Sequence, residues 1–383
     1  MDEIILKSNL STRHMAGGNE LKIPIYTIKG SDENAPTVYI QSSLHGSEIQ
    51  GYLVCIKLLE YFNINPPRGN ITIVPLCNPY GIQQKVGSFT HGRFDPWTGE
   101  NWNRNFTELT CLSKNHQIHE DQIILEDFFK NAPQQSSLTN LKKLFKDLLS
   151  TKLKNQLLQN ISYGKKLSTQ LQLLASPADI VLDLHCDTDS LPHIYSPEYA
   201  LTAALDLQIP YIISIPEVFA DAMDEACFMP WVHFTKSYNE IMNPEISIEN
   251  PFLAFTLELG SEENIDKKSA QQQLEGILSF LAANQVITKN KSISPPTSKS
   301  IITPLNKLIT LYAPHGGIIL EKPELGVLKN AKTSILEIST LISEGSRLPE
   351  PHHLTYHKDC IPLTRPRTAI VHEGSPLMKV ITQ

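Results

Sequence analysis

Short apolar runs that alternate with segments of helical period constrain the fold of this chain most strongly. Six such runs are LKIPIYTI (21–28), TVYIQ (37–41), NITIVPLCNPYG (70–81), ADIVLDLH (178–185), PYIISI (210–215) and FLAFTLEL (252–259). Each contains an apolar stretch short enough for a strand and has turn residues beside it, so we expect six β-strands. Strands that alternate with helices are typical of α/β proteins. The sequence therefore predicts a mixed, largely parallel sheet with flanking helices.

The first long helix is predicted just after the second of these strands. Apolar residues recur there at three- and four-residue steps, at Ile49, Tyr52, Leu53, Ile56, Leu59 and Phe62. This spacing predicts that they form the buried face of the helix. Ser47 and Gln50 have the spacing of a capping box, which would make Ser47 the N-cap and place Glu48 in the first turn.

The chain is long enough for two domains, since 383 residues exceed what one hydrophobic core usually serves. A Lys-, Leu- and Gln-rich stretch at about 107–176 predicts a helical insert within a catalytic domain of residues 1–292. The polar segment 288–300 contains a Pro-Pro pair and no periodicity, as expected of a linker. Short alternating runs follow it, so residues 300–383 are expected to form a small β-barrel-like domain.

Composition narrows the classes of function. The net charge is −7 and no Lys/Arg cluster dominates, which argues against a nucleic-acid partner. No apolar run is long enough to span a bilayer, so no membrane partner is expected. The six cysteines include no C-x-x-C pair, and the N-terminus lacks the apolar core of a signal peptide. We therefore expect a cytoplasmic protein.

Two histidines and a glutamate are candidate metal ligands. His45 and Glu48 are three residues apart beside the predicted helix, and His185 ends an apolar strand. Zn²⁺ commonly binds His nitrogen and carboxylate oxygen, and a catalytic zinc site leaves one position open. An H-x-x-E pair alone occurs by chance, and a single strand histidine is more often a hydrogen-bonded core residue. Ligands bind at strand ends in open α/β sheets, so the three together favour a metal site.

Four further polar residues are candidates for catalysis or for substrate binding. Glu258 lies between two leucines near the end of a predicted strand, where burial would raise its pKa toward the value a general base needs. An edge-strand glutamate facing solvent is the alternative. Arg93, Asn103 and Arg104 lie in a Gly- and Trp-containing loop and could bind a carboxylate or stabilise an oxyanion. Taken singly, each arginine could equally be a surface residue.

The order of these motifs resembles that of the succinylglutamate desuccinylase/aspartoacylase family. The shared elements are H-x-x-E after a strand, N-P-x-G in CNPYG (77–81), N-R-N-F (103–106), D-L-H (183–185) and a late strand glutamate. The resemblance covers most of residues 20–285 and implies the zinc carboxypeptidase fold. The tail is similar to the β domain of many members, which resembles a lipoyl or biotinyl barrel. It lacks the lysine hairpin to which those groups attach.

The resemblance also implies roles for individual residues. His45, Glu48 and His185 would hold one Zn²⁺ per chain, and Glu258 would act as general base and acid. Asn103 and Arg104 would bind the substrate carboxylate, and Arg93 would polarise the scissile carbonyl. The family usually has Asp-Leu-Asn-Arg in this loop, with the Asp orienting the first zinc-binding histidine. Here Asn101 replaces that Asp.

The expected activity is zinc-dependent hydrolysis of an amide bond, by an enzyme that deacylates an N-acyl amino acid or a related small, anionic, carboxylate-bearing amide. A zinc carboxypeptidase acting on a short peptide is one alternative. An inactive zinc-binding interaction module is another, against which the intact Glu258 argues. A homo-oligomer remains open.

Overall fold

A nine-stranded mixed sheet forms the centre of the fold. The computed structural model describes residues 5–113, 122–132, 136–242, 247–289, 300–340 and 351–382. The strands of this sheet are β1 (Ile5–His14), β2 (Glu20–Ile28), β3 (Val38–Ser42), β4 (Ile71–Val74), β5 (Ile180–Asp187), β6 (His193–Pro197), β7 (Tyr211–Ile215), β8 (Leu253–Ser261) and β9 (Ile301–Pro304). Their spatial order is β1-β2-β4-β3-β5-β8-β6-β7-β9. Most neighbouring pairs are parallel, which confirms the predicted fold class.

Helices cover both faces of the sheet. They are α1 (Gln50–Phe62), α2 (Leu125–Asn131), α3 (Leu138–Leu157), α4 (Tyr163–Ala175), α5 (Leu201–Leu205), α6 (Met223–Ser237) and α7 (Lys267–Ala283). Residues of β5 alternate between the two layers, as a strand buried on both sides requires. Val181 packs in the layer of α3, α4 and α6, whereas Leu182 packs in the layer of α1 and α7. The region predicted as a helical insert contains α2, α3 and α4.

Helix α1 differs from its prediction at its N-terminus. It begins at Gln50, and its N-cap is Ile49, whose side chain makes no capping bond. The side-chain nitrogen of Gln50, Nε2, instead donates hydrogen bonds to Asp266 O and to Gln273 Oε1, each at 3.0 Å. The predicted capping box is therefore wrong, and Glu48 lies in the loop before the helix.

The buried face of α1 was predicted only in part. Phe62 is buried as predicted and Leu53 and Leu59 are half-buried, but Tyr52 is exposed and the other fully buried apolar side chains are Val54, Cys55 and Leu58. A close approach between helix and sheet sets this orientation. A Cβ added at Gly51 would lie 2.8 Å from Leu184 Cβ, so only glycine lets α1 approach β5 this closely.

Two small sheets make up most of the C-terminal part of the chain. Their strands are β10 (Leu308–Tyr312), β11 (Gly317–Glu321), β12 (Ser334–Ser339), β13 (Pro351–Thr355), β14 (Cys360–Pro362) and β15 (Pro376–Thr382), with the short segment Ile370–Val371 beside β11. They share an apolar core that includes Ile319, Leu336 and Val380. The predicted linker lies largely outside the described residues. β9, just after it, pairs with β7 and completes the large sheet, so this sheet includes a strand from beyond the predicted domain boundary.

Among the residues that the structure describes, none of the helices is both long and apolar enough to span a membrane. The six cysteines are all buried and unpaired.

Candidate metal centre and active site

The loop between β3 and α1 carries His45 and Glu48. Both side chains are buried, at 3% and 1% exposed. Gly46 lies between them, and a Cβ there would be 2.2 Å from Gly81 O. Gly81, the last residue of the N-P-x-G motif, therefore packs directly against the loop that carries His45 and Glu48. Asn78 accepts a hydrogen bond from Gly81 N and donates one to Leu44 O, each at 2.9 Å, and so fixes the second loop against the first.

His185 meets the same loop from the end of β5. Glu48 lies between the two histidines: its Oε1 is 2.7 Å from His45 Nδ1 and its Oε2 is 2.7 Å from His185 Nδ1. The Cys186 backbone N–H also donates to Glu48 Oε2, at 3.1 Å. The ligand-type atoms of all three residues lie within 4.8 Å of one another. The structure thus brings the three predicted metal ligands together.

Each histidine has a partner on the ring nitrogen that faces away from Glu48. His45 Nε2 donates to Asn101 Oδ1 at 2.8 Å, and His185 Nε2 donates to Asp183 Oδ2 at 2.8 Å. Gln41 in turn donates to Asp183 Oδ1 at 2.9 Å. The Nε2 atoms therefore have acceptors of their own, and the Nδ1 atoms are the ones that face Glu48. A histidine that keeps its proton on Nε2 would bind a metal through Nδ1.

Glu258 stands beside this centre on β8. It pairs with His185 across the parallel strands β8 and β5. Burial, together with the charges of Asp187 and Glu48, raises the pKa of Glu258 to about 8. Its Oε2 is shielded from solvent and has no hydrogen-bond partner among the described residues. A carboxyl group with a raised pKa and a free oxygen can accept and return a proton.

The loop from 88 to 106 places the other predicted residues at the same site. Arg93 Nη1 donates to Glu48 Oε1 at 3.0 Å, although its side chain is 43% exposed. Asn103 Oδ1 accepts a hydrogen bond from Met223 N at 2.9 Å, so the side-chain nitrogen of Asn103 takes no part in that bond. Arg104 Nη1 donates to Asn103 O at 2.5 Å. Trp102 is buried edge-on against Tyr80 and Tyr163 and anchors the loop.

A cavity of about 330 Å³ joins these groups. All seven predicted site residues line it: His45, Glu48, Arg93, Asn103, Arg104, His185 and Glu258. Pockets of this size hold small molecules.

Several lining residues were not anticipated from the sequence, among them Lys379, Tyr195 and Asp224. Lys379 comes from β15 and donates to Asp187 Oδ2 at 2.6 Å and to Tyr195 OH at 3.1 Å. Asp187, His193 and Glu258 form a second group with metal-ligand geometry. The ammonium of Lys379 pairs with Asp187, so a protein side chain, rather than a metal ion, supplies the positive charge in this second group.

Sequence and structure comparisons agree on one family. The model of the succinylglutamate desuccinylase/aspartoacylase catalytic domain matches residues 34–284. A protein from Shewanella frigidimarina that carries this family name is 34% identical, with a TM-score of 0.91 over 100% of this chain and 98% of that one. A family protein from Shewanella amazonensis is 33% identical, with a TM-score of 0.88 over 98% of each chain.

More distant relatives share the fold. A succinylglutamate desuccinylase/aspartoacylase from Rhodobacter sphaeroides is 16% identical, with a TM-score of 0.64 over 99% of this chain and 95% of that one. No curated protein matches the sequence.

Proposed function

Because the chain belongs to the succinylglutamate desuccinylase/aspartoacylase family of hydrolases, we propose that it is a zinc-dependent amidohydrolase. Its substrate would be an N-acyl amino acid or a related small amide that bears a carboxylate. One observation carries the proposal: a three-residue metal-ligand set and a carboxyl group with a raised pKa, Glu258, line the same small cavity.

The donor set fits a zinc ion. Two Nδ1 atoms and the Glu48 carboxylate converge, and a cation bound among them would replace any proton that an Nδ1 atom shares with Glu48. Two neutral histidines and one carboxylate are a common ligand set of catalytic zinc, and they leave a fourth position open. Burial lowers the pKa of His45, which favours its neutral, ligating form. Burial acts on His185 too, but the carboxylates of Asp183 and Glu48 outweigh it and raise the pKa of His185, so a metal would displace a proton from that ring. When bound there, zinc supplies a Lewis acid that polarises the substrate carbonyl and lowers the pKa of water.

Glu258 would move the proton. Its unpartnered oxygen would accept a proton from the attacking water and later donate it to the amine that leaves. A bound dication would lower the pKa of Glu258 below its metal-free value of about 8, because it favours the charged carboxylate. This would make the base available near neutral pH.

The 88–106 loop would hold the rest of the substrate. The guanidinium of Arg93 lies next to Glu48, where it can donate to the oxyanion that forms on the scissile carbonyl. The amide nitrogen of Asn103 and the guanidinium of Arg104 would bind the substrate carboxylate. These roles are the ones that the family resemblance implies for the same residues.

A carboxypeptidase acting on short peptides would use the same chemistry. The cavity favours the smaller substrate, since the C-terminal region contributes Leu305 and Lys379 to its wall. A non-catalytic zinc module would have no use for the arrangement of Glu258 next to His185.

A turnover screen on zinc-loaded protein tests the proposal. We expect hydrolysis of N-acetyl or N-succinyl amino acids, with dipeptides hydrolysed more slowly. Glu258→Gln should keep its zinc and its fold but lose about 10²–10⁴-fold in kcat. Arg104→Lys should raise KM for free acids, because a point charge cannot replace the two-pronged guanidinium. Near-normal kcat in Glu258→Gln, or equal rates on methyl-esterified and free acids, would contradict these assignments.

A further inference from the structure

We propose that Asp224 binds a cationic group on the substrate, an ammonium or guanidinium at the end of an amino-acid side chain. The preferred substrates would then be N-acylated basic amino acids such as N-acyl-ornithine or N-acyl-lysine. This inference rests on the proposed function, since it names the substrate class of the same cavity.

Asp224 is a buried acid inside the cavity. It is the second residue of α6, is 3% exposed, and lines the cavity with Glu258 and Asn103. The Thr256 hydroxyl and the Glu225 backbone N–H are the donors near its carboxylate, and both oppose the rise in its pKa. A carboxylate offers about four acceptor sites, so these two donors leave room for a ligand.

The strand register fixes the depth of this acid. On β8 and β5, Glu258 pairs with His185, and Thr256 pairs with Asp183. Thr256 is two residues before Glu258, so its side chain lies on the same face, about 6–7 Å nearer the start of the strand. Asp224, which lines the cavity with Thr256, therefore lies deeper than Glu258, where the end of a substrate side chain would sit.

The Asp224 carboxylate has no counter-ion among the residues that the structure describes. Burial and the neighbouring carboxylates of Glu225 and Asp183 raise the pKa of Asp224 to about 7. No cation of the described residues appears among the groups that most influence it. Glu225 is engaged elsewhere, because it accepts from Ala220 N at 2.6 Å and Ala222 N at 3.2 Å. A buried carboxylate without a cation is costly, and a substrate cation would offset that cost.

One small molecule can reach both Asp224 and the proposed carboxylate site. Asn103 Oδ1 is bonded to the backbone N–H of Met223, the residue directly before Asp224. Consecutive Cα atoms are only about 3.8 Å apart, so the backbone that carries Asp224 runs next to the Asn103 amide, and both residues line the cavity. An amino acid with its carboxylate at Asn103 and Arg104 could therefore extend a basic side chain to Asp224.

Matched substrates test the inference. The kcat/KM of zinc-loaded protein should be higher for N-acetyl-L-ornithine and N-acetyl-L-lysine than for the neutral isostere N-acetyl-L-norleucine and for N-acetyl-L-glutamate. Asp224→Asn keeps the shape and removes the charge. It should lower the basic-to-neutral ratio by roughly 10–100-fold, the value of one charge-assisted hydrogen bond. Asp221→Asn, an exposed change three residues earlier in the chain, should leave the ratio as it was.

Binding without turnover separates this inference from the proposed function. Calorimetry on zinc-loaded protein with N-acetyl-L-lysine and N-acetyl-L-norleucine should show the same preference, lost in Asp224→Asn. If that preference is present but no acylated amino acid is hydrolysed, the proposed activity fails and the cation site stands. If hydrolysis occurs but the basic-to-neutral ratio is near one, or is unchanged in Asp224→Asn, Asp224 is a structural acid held by Thr256 and the inference is overturned. Absence of both binding preference and hydrolysis overturns it as well.

Discussion

Lys379 Nζ donates to Asp187 Oδ2 at 2.6 Å and so joins the last strand of the C-terminal sheets to the strand that carries His185. Asp187 is 12% exposed and Lys379 is 30% exposed. The cation also lies close enough to Glu258 to oppose the rise in the pKa of that carboxyl. The C-terminal region therefore contributes charge, as well as surface, to the candidate active site.

Removing this ammonium should destabilise the whole protein. Lys379→Met leaves the Asp187 carboxylate buried without its cation, and we expect a loss of about 2–3 kcal/mol in the free energy of unfolding. The value is below that of a fully buried pair because Lys379 is partly exposed. Denaturant unfolding measures it. Lys322→Met, on an exposed lysine of the same region, should change stability by less than about 0.5 kcal/mol. Equal effects of the two substitutions would contradict the role of the pair.

The metal ligands can be tested without a substrate. His45→Ala and His185→Ala should each lose zinc, since two remaining protein ligands hold the ion poorly. Metal analysis after dialysis should give about one zinc per chain for the wild type and far less for either variant. His372→Ala removes an exposed histidine and should keep full occupancy. Full zinc content in His45→Ala and His185→Ala would refute the site.

Glu258 should make the stability of the metal-free protein depend on pH. Its pKa is raised to about 8 in the fold from an ordinary value of 4.5. The folded state therefore binds the extra proton, and the resulting stabilisation, complete below pH 4.5, is lost as pH rises to about 8. Glu258→Gln cannot ionise, so its stability relative to wild type should increase between pH 5.5 and 8.5.

We expect that relative gain to be about 2–3 kcal/mol, given about 1.4 kcal/mol for each unit of pKa shift. Thermal or urea unfolding in the presence of a chelator measures it at the two pH values. Glu324→Gln, at an exposed position, should show the same difference from wild type at both. A gain of similar size in this control would mean that the effect does not come from Glu258.

Asn101 should tune the affinity for zinc. Its side-chain oxygen accepts from His45 Nε2 and also from Asn103 N, at 2.9 Å, and a carboxylate could accept both bonds. Asn101→Asp would make His45 a more basic ligand and should tighten zinc by up to about 10–100-fold. Competition with a chelator measures the affinity. Asn34→Asp adds the same charge at an exposed, distant position and should have no effect. Unchanged affinity in Asn101→Asp would mean that this bond does not influence the metal.

Local patterns predicted the part of the site that lies on strand ends. His185 and Glu258 each close an apolar run, and two-residue alternation places each of them on a known face of its strand. Parallel strands end at the same edge of a sheet, which is consistent with the two residues lying near each other. The register that sets them side by side depends on strand order, which short segments of sequence do not encode.

The start of α1 shows where local patterns misled. Ser47 and Gln50 have capping spacing, yet the loop through His45 and Glu48 continues to Ile49, and Gln50 bonds α7 residues instead. Long-range packing against β5, which only Gly51 permits, determined which face is buried. The local sequence pattern of α1 therefore did not predict its tertiary contacts.

Two residues of the cavity gave no usable signal. Lys379 alternates with apolar residues in PLMKVIT, as any lysine on the solvent side of a strand would. Asp224 stands in the first turn of a helix, where acidic residues are common because they interact well with the helix dipole. Both acquire their importance from contacts between segments far apart in the chain.

The contribution of Lys379 and Leu305 to the cavity wall has a consequence for synthesis of the protein. The metal-ligand loop leaves the ribosome early, but β9 and β15 are translated after everything else around the site. At roughly 5–20 residues per second, the interval from His45 to Lys379 is on the order of 20–70 s. During that time the nascent chain has a sheet with one open edge at β7 and a pocket that lacks one wall. Ribosome-bound or prematurely terminated chains would thus expose an incomplete site, and the proposed activity would arise only when β15 docks.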